Sequence, residues 1–238
     1  MERKKSVENT KLIQLKLNNE PLNTNEKVRI GILLVLHLVG IVGYNLPTYR
    51  ALFQLVTPLH LLIITIVLLS EKAVLNQGFA LFFALAFLIG YGAEVFGVKS
   101  GMLFGYYQYT NVLGIKVLDV PIALGLLWAA TAYAANEIAN KLINGVVFKV
   151  ILAASIMVLF DYTLEPFAIH AQLWQWNSVS IPNYNYVSWF MVALVLSIIY
   201  QNTVKISFNK VSPYFLLIQV AFFLLYQLVN QIITIDFF

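Results

Sequence analysis

Seven long apolar runs, each almost free of charged residues, occupy most of this chain. They cover approximately residues 28–44, 51–70, 78–98, 119–139, 145–164, 184–201 and 212–235. A helix needs about 20 apolar residues to cross a bilayer, so each run has roughly the length of one span. The chain of 238 residues is 60% hydrophobic and 11% charged, whereas soluble domains are about 25% charged. We therefore expect an all-α integral membrane protein with about seven transmembrane helices.

The segment before the first apolar run is polar. It contains no apolar stretch long enough for the core of a signal peptide. We interpret residues 1–27 as a cytoplasmic tail and residues 28–238 as a single seven-helix membrane domain. Seven spans leave no length for a separate soluble catalytic domain, so any chemistry is expected among the helices.

The distribution of lysine and arginine predicts the orientation of the helices. With the N-terminus inside, twelve of these residues lie in or beside the inner segments, and three (Arg50, Lys99 and Lys116) lie in the outer ones. Cytoplasmic loops of membrane proteins carry such an excess of positive charge. An odd number of spans then places the N-terminus in the cytoplasm and the C-terminus outside. A basic cytoplasmic rim also accounts for the net charge of +4, so no nucleic-acid partner is expected.

The residue types that are missing argue against several classes of chemistry. The chain has no cysteine, and its three histidines, His37, His60 and His170, lie far apart. Iron–sulfur clusters, thiolate metal sites and histidine-box di-iron centres are therefore not expected. There is no aspartate-rich pair of the kind that binds magnesium and a diphosphate in prenyltransferases. We expect neither a metal nor a cofactor.

Four carboxylates are predicted to gather at the outer ends of the spans. Glu94 lies near the end of the third span, and Asp119 begins the fourth, where we interpret it as a helix cap. Asp161 and Glu165, at the end of the fifth span, are four residues apart and share one helix face. Pro166 is expected to end that helix. Acids within spans are unfavourable in lipid and usually functional, which makes Glu94, Asp161 and Glu165 candidate catalytic residues.

Two outer segments are rich in Tyr, Trp, Gly and Asn. The first contains Tyr107-Gln108-Tyr109, and the second contains Trp174-Gln175-Trp176, 67 residues later. The same offset carries Glu94 onto Asp161, which suggests a parallel repeat whose units each provide one acid and one aromatic strip. Aromatic residues near span ends commonly form an interfacial belt instead, and that alternative stays open.

Buried carboxyl groups beside aromatic rings suit acid-catalysed addition to an isoprenoid alkene. A carboxyl group in apolar surroundings can stay protonated near neutral pH and donate that proton. A second carboxylate can act as the base and orient a water molecule, while aromatic faces stabilise a developing cation. Protonating a trisubstituted terminal double bond gives a tertiary carbocation, which water captures as a tertiary alcohol.

Two ordered blocks of sequence carry a resemblance to a known family. The first contains Ala93-Glu94-Val95-Phe96-Gly97, Phe104-Gly105-Tyr106-Tyr107-Gln108-Tyr109, Val120-Pro121 and Trp128. The second contains Phe160-Asp161, Glu165-Pro166, Trp174-Gln175-Trp176, Pro182, Asn185 and Trp189-Phe190. The chain resembles the membrane carotenoid-biosynthesis family that includes carotenoid 1,2-hydratases (bisanhydrobacterioruberin hydratase-like). The resemblance implies water addition across the 1,2 double bond at the acyclic ψ-end of a carotenoid.

The resemblance implies that Glu94, Asp161 and Glu165 belong to the site and that Tyr107, Trp174 and Trp176 line its pocket. From their chemistry we infer that the three acids are catalytic. The expected substrate-binding residues are Tyr107, Tyr109, Asn111, Trp128, Trp174, Trp176 and Asn185. The expected partners are a carotenoid, water and membrane lipid, and other carotenoid enzymes are candidate partners. We expect the protein in the inner membrane of a prokaryotic cell.

Other functions fit some of the same residues. A small membrane carotenoid cyclase would use the same protonation but capture the cation with an internal double bond. Amides that could hold water favour hydration over cyclisation; they are Gln108, Asn111, Gln175 and Asn177. A seven-helix transporter would use buried acids to relay protons. A retinal protein would need a lysine in the last span, and residues 212–235 contain none.

Small residues of the fourth span allow two interpretations. Residues 123–134 include Gly125 and five alanines. They either form a groove in which a polyene passes against the backbone or allow neighbouring helices to pack closely.

Overall fold

Seven α-helices and four short β-strands make up the described part of the chain. The structure, a computed structural model, describes residues 21–70, 76–178, 180–204 and 209–236. The helices are α1 (Thr24–Asn45), α2 (Pro47–Leu69), α3 (Gln77–Ser100), α4 (Ala123–Leu142), α5 (Val146–His170), α6 (Asn183–Thr203) and α7 (Ser212–Asp236). The strands are β1 (Tyr107–Tyr109), β2 (Lys116–Val117), β3 (Val120–Pro121) and β4 (Trp174–Trp176).

Among the described residues, six helices are long and apolar enough to cross a membrane. They are α1, α2, α3, α5, α6 and α7. Their surfaces carry many exposed large hydrophobic side chains, such as Leu55 and Leu88, as expected of helices that face lipid. The protein is therefore an all-α integral membrane protein, as the sequence predicts.

The seventh helix, α4, is enclosed by the others. It packs against α2, α3, α5, α6 and α7, and its side chains from Trp128 to Glu137 are all buried. A helix that is surrounded by other helices does not need an apolar surface that faces lipid. It instead needs small residues where its neighbours pack against it. A Cβ added at Gly125, for example, would lie 2.6 Å from the ring of Phe87. This close packing supports the second interpretation of the small residues in the fourth span.

The start of α1 differs from the predicted boundary. The tail up to residue 20 lies outside the described residues, and α1 begins at Thr24 rather than at residue 28. Asn23 and Glu26 form a capping box there, in which each side chain accepts from the other residue's backbone N–H at 2.9 and 2.8 Å. Such a box satisfies two backbone donors at a helix start, and it lengthens the first span on its polar side.

The start of α4 corrects the predicted role of Asp119. The two strands before α4 form a hairpin that pairs Val117 with Val120. Leu118 and Asp119 have φ of 52° and 68°, as a two-residue turn between such strands requires. Asp119 is therefore not a helix cap, and α4 begins four residues later than residue 119. Its carboxylate instead forms an ion pair with Lys99 of α3.

The end of α5 corrects the prediction for Pro166. The helix continues past this proline to His170. Proline is tolerated in a membrane helix where neighbouring helices supply partners for the disturbed backbone. Pro166 cannot donate to the carbonyl of Tyr162, and next to that position Gln227 of α7 donates to the carbonyl oxygen of Thr163 at 3.2 Å.

The two aromatic strips meet at one end of the helices, which we call the site face. β1 and β4 pair antiparallel there, with Tyr107 opposite Trp176 and Tyr109 opposite Trp174. The backbone N–H of Thr110 extends the ladder by donating to Leu173 at 3.1 Å. The segments predicted as two equivalent strips thus form one small sheet over the ends of α3 and α5. We call the other end of the helices the opposite face.

Candidate functional site

Three carboxyl groups from two helices meet beneath the β1–β4 sheet. Glu94 of α3 and Asp161 and Glu165 of α5 line one pocket with a volume of about 20 Å³. The exposed fractions of these three residues are 3%, 1% and 3%. A polar cavity of about 10–15 Å³ or more can hold a water molecule. The pocket therefore has the size and the polar groups to hold about one water.

Glu94 accepts hydrogen bonds from three aromatic side chains. Its Oε2 accepts from the hydroxyl groups of Tyr107 at 2.6 Å and Tyr109 at 2.7 Å. Its Oε1 accepts from the indole N–H of Trp128 at 2.8 Å. An ionised carboxylate is purely an acceptor, and three donors aimed at it match that form.

The hydroxyl groups of Tyr107 and Tyr109 stay protonated and can therefore donate hydrogen bonds to Glu94. Burial, followed by the charge of Glu94, raises the pKa of Tyr107 and Tyr109 well above the usual value of 10. Their hydroxyl groups therefore keep their protons throughout the physiological pH range and continue to donate to Glu94.

Glu165 has a matching set of donors from the other strand. Its Oε2 accepts from the indole N–H groups of Trp174 and Trp176, both at 3.1 Å. β1 thus binds Glu94, and β4 binds Glu165. The repeat suggested by the sequence paired Glu94 with Asp161, but the acid that its second strip binds is Glu165. The two strips pair antiparallel, as two repeats related by a local two-fold axis would.

Asp161 has the fewest donors of the three acids. Among the described residues, the hydrogen bond to its carboxyl group comes from the side-chain amide of Asn185 of α6, and it is long, at 3.4 Å. A protonated carboxyl group donates one hydrogen bond as well as accepting. The surroundings of Asp161 are thus the ones that best accommodate a proton.

All four tryptophans of the chain line this pocket. Trp128 of α4 and Trp189 of α6 stack on each other, with ring centroids 3.7 Å apart and planes 14° apart. The prediction from sequence did not include Trp189 among the site residues. The signal for it was the spacing of 61 residues between Trp128 and Trp189, close to the offset of the two aromatic strips.

Nine of the ten predicted site residues line the pocket. They are Glu94, Tyr107, Tyr109, Trp128, Asp161, Glu165, Trp174, Trp176 and Asn185. Asn111 does not line it, because this residue is exposed in the turn after β1. Its backbone carbonyl accepts from the N–H of Gly114 at 3.1 Å.

The other amides that were expected to hold water are also exposed. Gln108 and Gln175 lie opposite each other in the sheet, and both face away from the pocket, as does Asn177 after β4. Side chains alternate between the two sides of a strand. The strips therefore turn their aromatic residues toward the acids and their glutamines outward, so that Asn185 is the amide that reaches the pocket.

A larger apolar cavity adjoins the acid pocket. It has a volume of about 340 Å³ and lies mainly between α1, α2, α5 and α7. Leu124, Leu127, Leu164 and Trp174 line both spaces. His37 and His60 also line the cavity, with ring centroids 5.0 Å apart. Among the described residues, no group of three or more His, Cys, Asp and Glu is placed to hold a metal ion.

The fold and the site define a class of protein: an integral membrane protein with an aromatic-lined acid pocket at the end of an apolar cavity. The family described as carotenoid biosynthesis protein matches residues 52–236 of the chain. The chain belongs to this family, which confirms the resemblance inferred from its motifs and gives the protein a role in carotenoid biosynthesis. No curated protein and no solved structure matches the chain.

Proposed function

We propose that the protein is a carotenoid 1,2-hydratase, a hydro-lyase that adds water across the terminal 1,2 double bond of an acyclic carotenoid ψ-end. The observation that carries the proposal is the junction of two spaces. An apolar cavity of about 340 Å³ ends at a pocket of about 20 Å³ that is lined by three carboxyl groups. The cavity suits a hydrocarbon chain, and the pocket suits acid–base chemistry with one water molecule.

Asp161 is the proton donor in this proposal. Its carboxyl group has the fewest hydrogen-bond donors among the three acids, so its protonated form is the best accommodated. The proton adds to C2 of the alkene, and the π electrons form the new C2–H bond. C1 becomes a tertiary carbocation, and Asp161 becomes a carboxylate.

Glu94 is the base that holds the attacking water. Three donors keep its carboxylate in place, and its charge orients the water. The water oxygen bonds to C1 while one of its protons passes to Glu94. The product carries the hydroxyl group on C1 and the added hydrogen on C2. Transfer of a proton from Glu94 to Asp161 restores the starting state.

The aromatic rings and Glu165 stabilise the intermediate. The stacked rings of Trp128 and Trp189 line the pocket together with Trp174, and aromatic faces attract cations through their quadrupoles. Glu165, held by two indole N–H groups, adds negative charge on the same helix face as Asp161.

The size of the acid pocket favours hydration over cyclisation. A cyclase would have to fold the end of the chain back so that an internal double bond reaches the cation. The space beside the acids is about that of one water molecule. Cyclisation leaves the mass of the substrate unchanged, so product mass distinguishes the two reactions.

The test is conversion of an acyclic carotenoid by membranes that contain Asp161→Asn protein. Loss of a general acid removes roughly 10²–10⁴-fold in rate, so the gain in mass of one water should almost vanish. Asp119→Asn is the matched control, because that carboxylate lies in an exposed hairpin turn. Equal conversion by the two variants would contradict the mechanism. A product with unchanged mass and a new ring would identify a cyclase.

The site face lies outside the cytoplasm in this proposal, and the protein lies in the inner membrane of a prokaryotic cell. The excess of Lys and Arg in the segments of the opposite face supports this orientation. A reporter fused after Phe238 should be translocated, whereas one fused after Lys205 should remain in the cytoplasm. The reverse result would invert the orientation.

A further inference from the structure

Three adjoining spaces lead from the lipid-facing surface to the acid pocket, and each shares lining residues with the next. The first is a groove of about 540 Å³ on the outside of α1 and α2. It shares Val39 and Phe53 with the cavity of about 340 Å³. That cavity in turn shares Leu127 and Leu164 with the acid pocket.

We infer that this path is the binding site for the isoprenoid chain of the substrate, and that the chain is admitted from the lipid between α1 and α2. The inference rests on the proposed function, which requires the end of a chain to reach Asp161 and Glu94. The inference also specifies that the isoprenoid chain enters between α1 and α2. The sequence instead suggested, as one interpretation, a groove along α4, because that helix is rich in small residues.

The opening of the path faces lipid. Val39 of α1 and Leu59 of α2 line the cavity, yet 52% and 55% of their surfaces are exposed. Both belong to helices that are apolar enough to cross a membrane. A hydrophobic chain that is dissolved in the bilayer can therefore enter the cavity sideways without passing through water.

Two glycines of α1 allow aromatic rings to pack closely beside the path: Phe222 lies against Gly40 and Phe53 against Gly43. Gly40 lines the cavity and Gly43 lines the groove. A Cβ at Gly40 would lie 3.2 Å from Cε2 of Phe222, which also lines the cavity. A larger side chain at Gly40 would therefore have to displace Phe222 or extend into the cavity, and either change alters the space that the isoprenoid chain would occupy.

The chemistry of the wall restricts the ligand to a neutral one. Among the described residues that line the cavity, there is no Lys, Arg, Asp or Glu. A diphosphate or carboxylate head group would lose its hydration without gaining a partner of opposite charge. The path thus suits an uncharged polyene and disfavours an isoprenoid diphosphate.

Binding is tested separately from chemistry in the Asp161→Asn protein. The full chain is purified from carotenoid-producing cells, and the amount of bound acyclic polyene per protein is read from its visible absorbance. Gly40→Leu is added to this protein, with Gly31→Leu as the matched control. Gly31 lies in the same helix, and a Cβ there meets nothing within 4 Å. We expect Gly40→Leu to reduce bound polyene about tenfold or more and Gly31→Leu to leave it unchanged.

A second pair of variants tests the opening itself. Val56 lines the cavity near its lipid side, whereas the adjacent Leu55 points to lipid and lines none of the three spaces. Val56→Trp should reduce bound polyene, and Leu55→Trp should not. If the Gly40→Leu protein does not fold, the comparison of Val56→Trp with Leu55→Trp tests the inference by itself. Equal pigment in Val56→Trp and Leu55→Trp, or in a folded Gly40→Leu and its control, would overturn the inference.

The two proposals fail in different ways. If Asp161→Asn hydrates at the control rate while Gly40→Leu loses its pigment, the path stands and the assigned acid is wrong. If Asp161→Asn abolishes hydration while Gly40→Leu retains both pigment and activity in the otherwise native chain, the chemistry stands and the path is wrong.

Discussion

Buried carboxyl groups lie at both ends of the helices, and their partners differ. At the site face, Glu94 and Glu165 bond to aromatic side chains that line a pocket. At the opposite face, Glu137 of α4 accepts from the hydroxyl group of Tyr200 and from the backbone N–H of Asn209 at 2.9 Å. The side chain of Asn209 donates in turn to the carbonyl oxygen of Leu68 at 2.7 Å.

We expect this difference to separate a structural acid from a reactive one. Glu137 connects α4 to α6, to the end of α2 and to the segment that precedes α7, so its bonds hold elements together. The acids of the site face accept hydrogen bonds from side chains and also line a pocket. The carboxyl groups are buried at both faces. The site-face acids also have a large apolar cavity next to their pocket.

The largest expected effect is on catalysis at Glu94. Glu94→Gln keeps the shape of the side chain but cannot take a proton from water, so hydration of an acyclic carotenoid should fall roughly 10²–10⁴-fold. Glu137→Gln, measured in parallel and normalised to folded protein, should retain its rate. Comparable losses in both variants would remove the distinction between the two ends.

The second effect is on stability and is expected at the opposite face. In Glu137→Gln, one of the two acceptor oxygens becomes an NH₂ group, so Tyr200 and Asn209 no longer each have a carboxyl oxygen to donate to. A buried donor that loses its partner costs about 1–3 kcal/mol. The unfolding temperature in detergent should fall. Asp161→Asn, which alters one long hydrogen bond, should unfold close to the wild type. A reversed order would show that Asp161 is the structural acid.

A smaller effect is expected from removing one donor to Glu94. Tyr107→Phe deletes one of three hydrogen bonds to that carboxylate and keeps the ring, so the rate should fall about tenfold, as loss of one charged hydrogen bond implies. Tyr106→Phe is the adjacent control, because the side chain of Tyr106 is 67% exposed. If Tyr107→Phe lowers only the unfolding temperature, the Glu94 network is structural like that of Glu137.

The smallest effect is expected from pH changes that act on the tyrosines. The pKa values of Tyr107 and Tyr109 lie well above 10 in the folded protein because of burial and the charge of Glu94. Their contribution to stability is therefore complete below the unfolded value of about 10 and is lost as the pH rises through the folded values. A tyrosinate absorbance titration should show no difference between the wild type and a Tyr107→Phe, Tyr109→Phe double variant below about pH 10. A difference near neutral pH would contradict this.

Much of the candidate site was predictable because acids in lipid are rare. Glu94, Asp161 and Glu165 stood out on that ground alone, and the structure brings them to one pocket. The amides were less predictable. The direction in which these amides point depends on the alternation of side chains along two strands of three residues each. A segment of three residues is too short for its sequence to show that periodicity. Glu137 looked like an ordinary charged span end because its partners Tyr200 and Asn209 are far away in sequence.

The sequence by itself determined the seven helices, to within a few residues for most boundaries, because a bilayer imposes length and apolarity on each span separately. Tertiary structure decided what depends on contacts between distant residues. It let α5 continue past Pro166, enclosed α4, and assigned the donors of Glu94, one of which, Trp128, lies 34 residues away. It also opened the cavity between α1, α2, α5 and α7, since a cavity is the space that packed helices leave between them and no single segment encodes it.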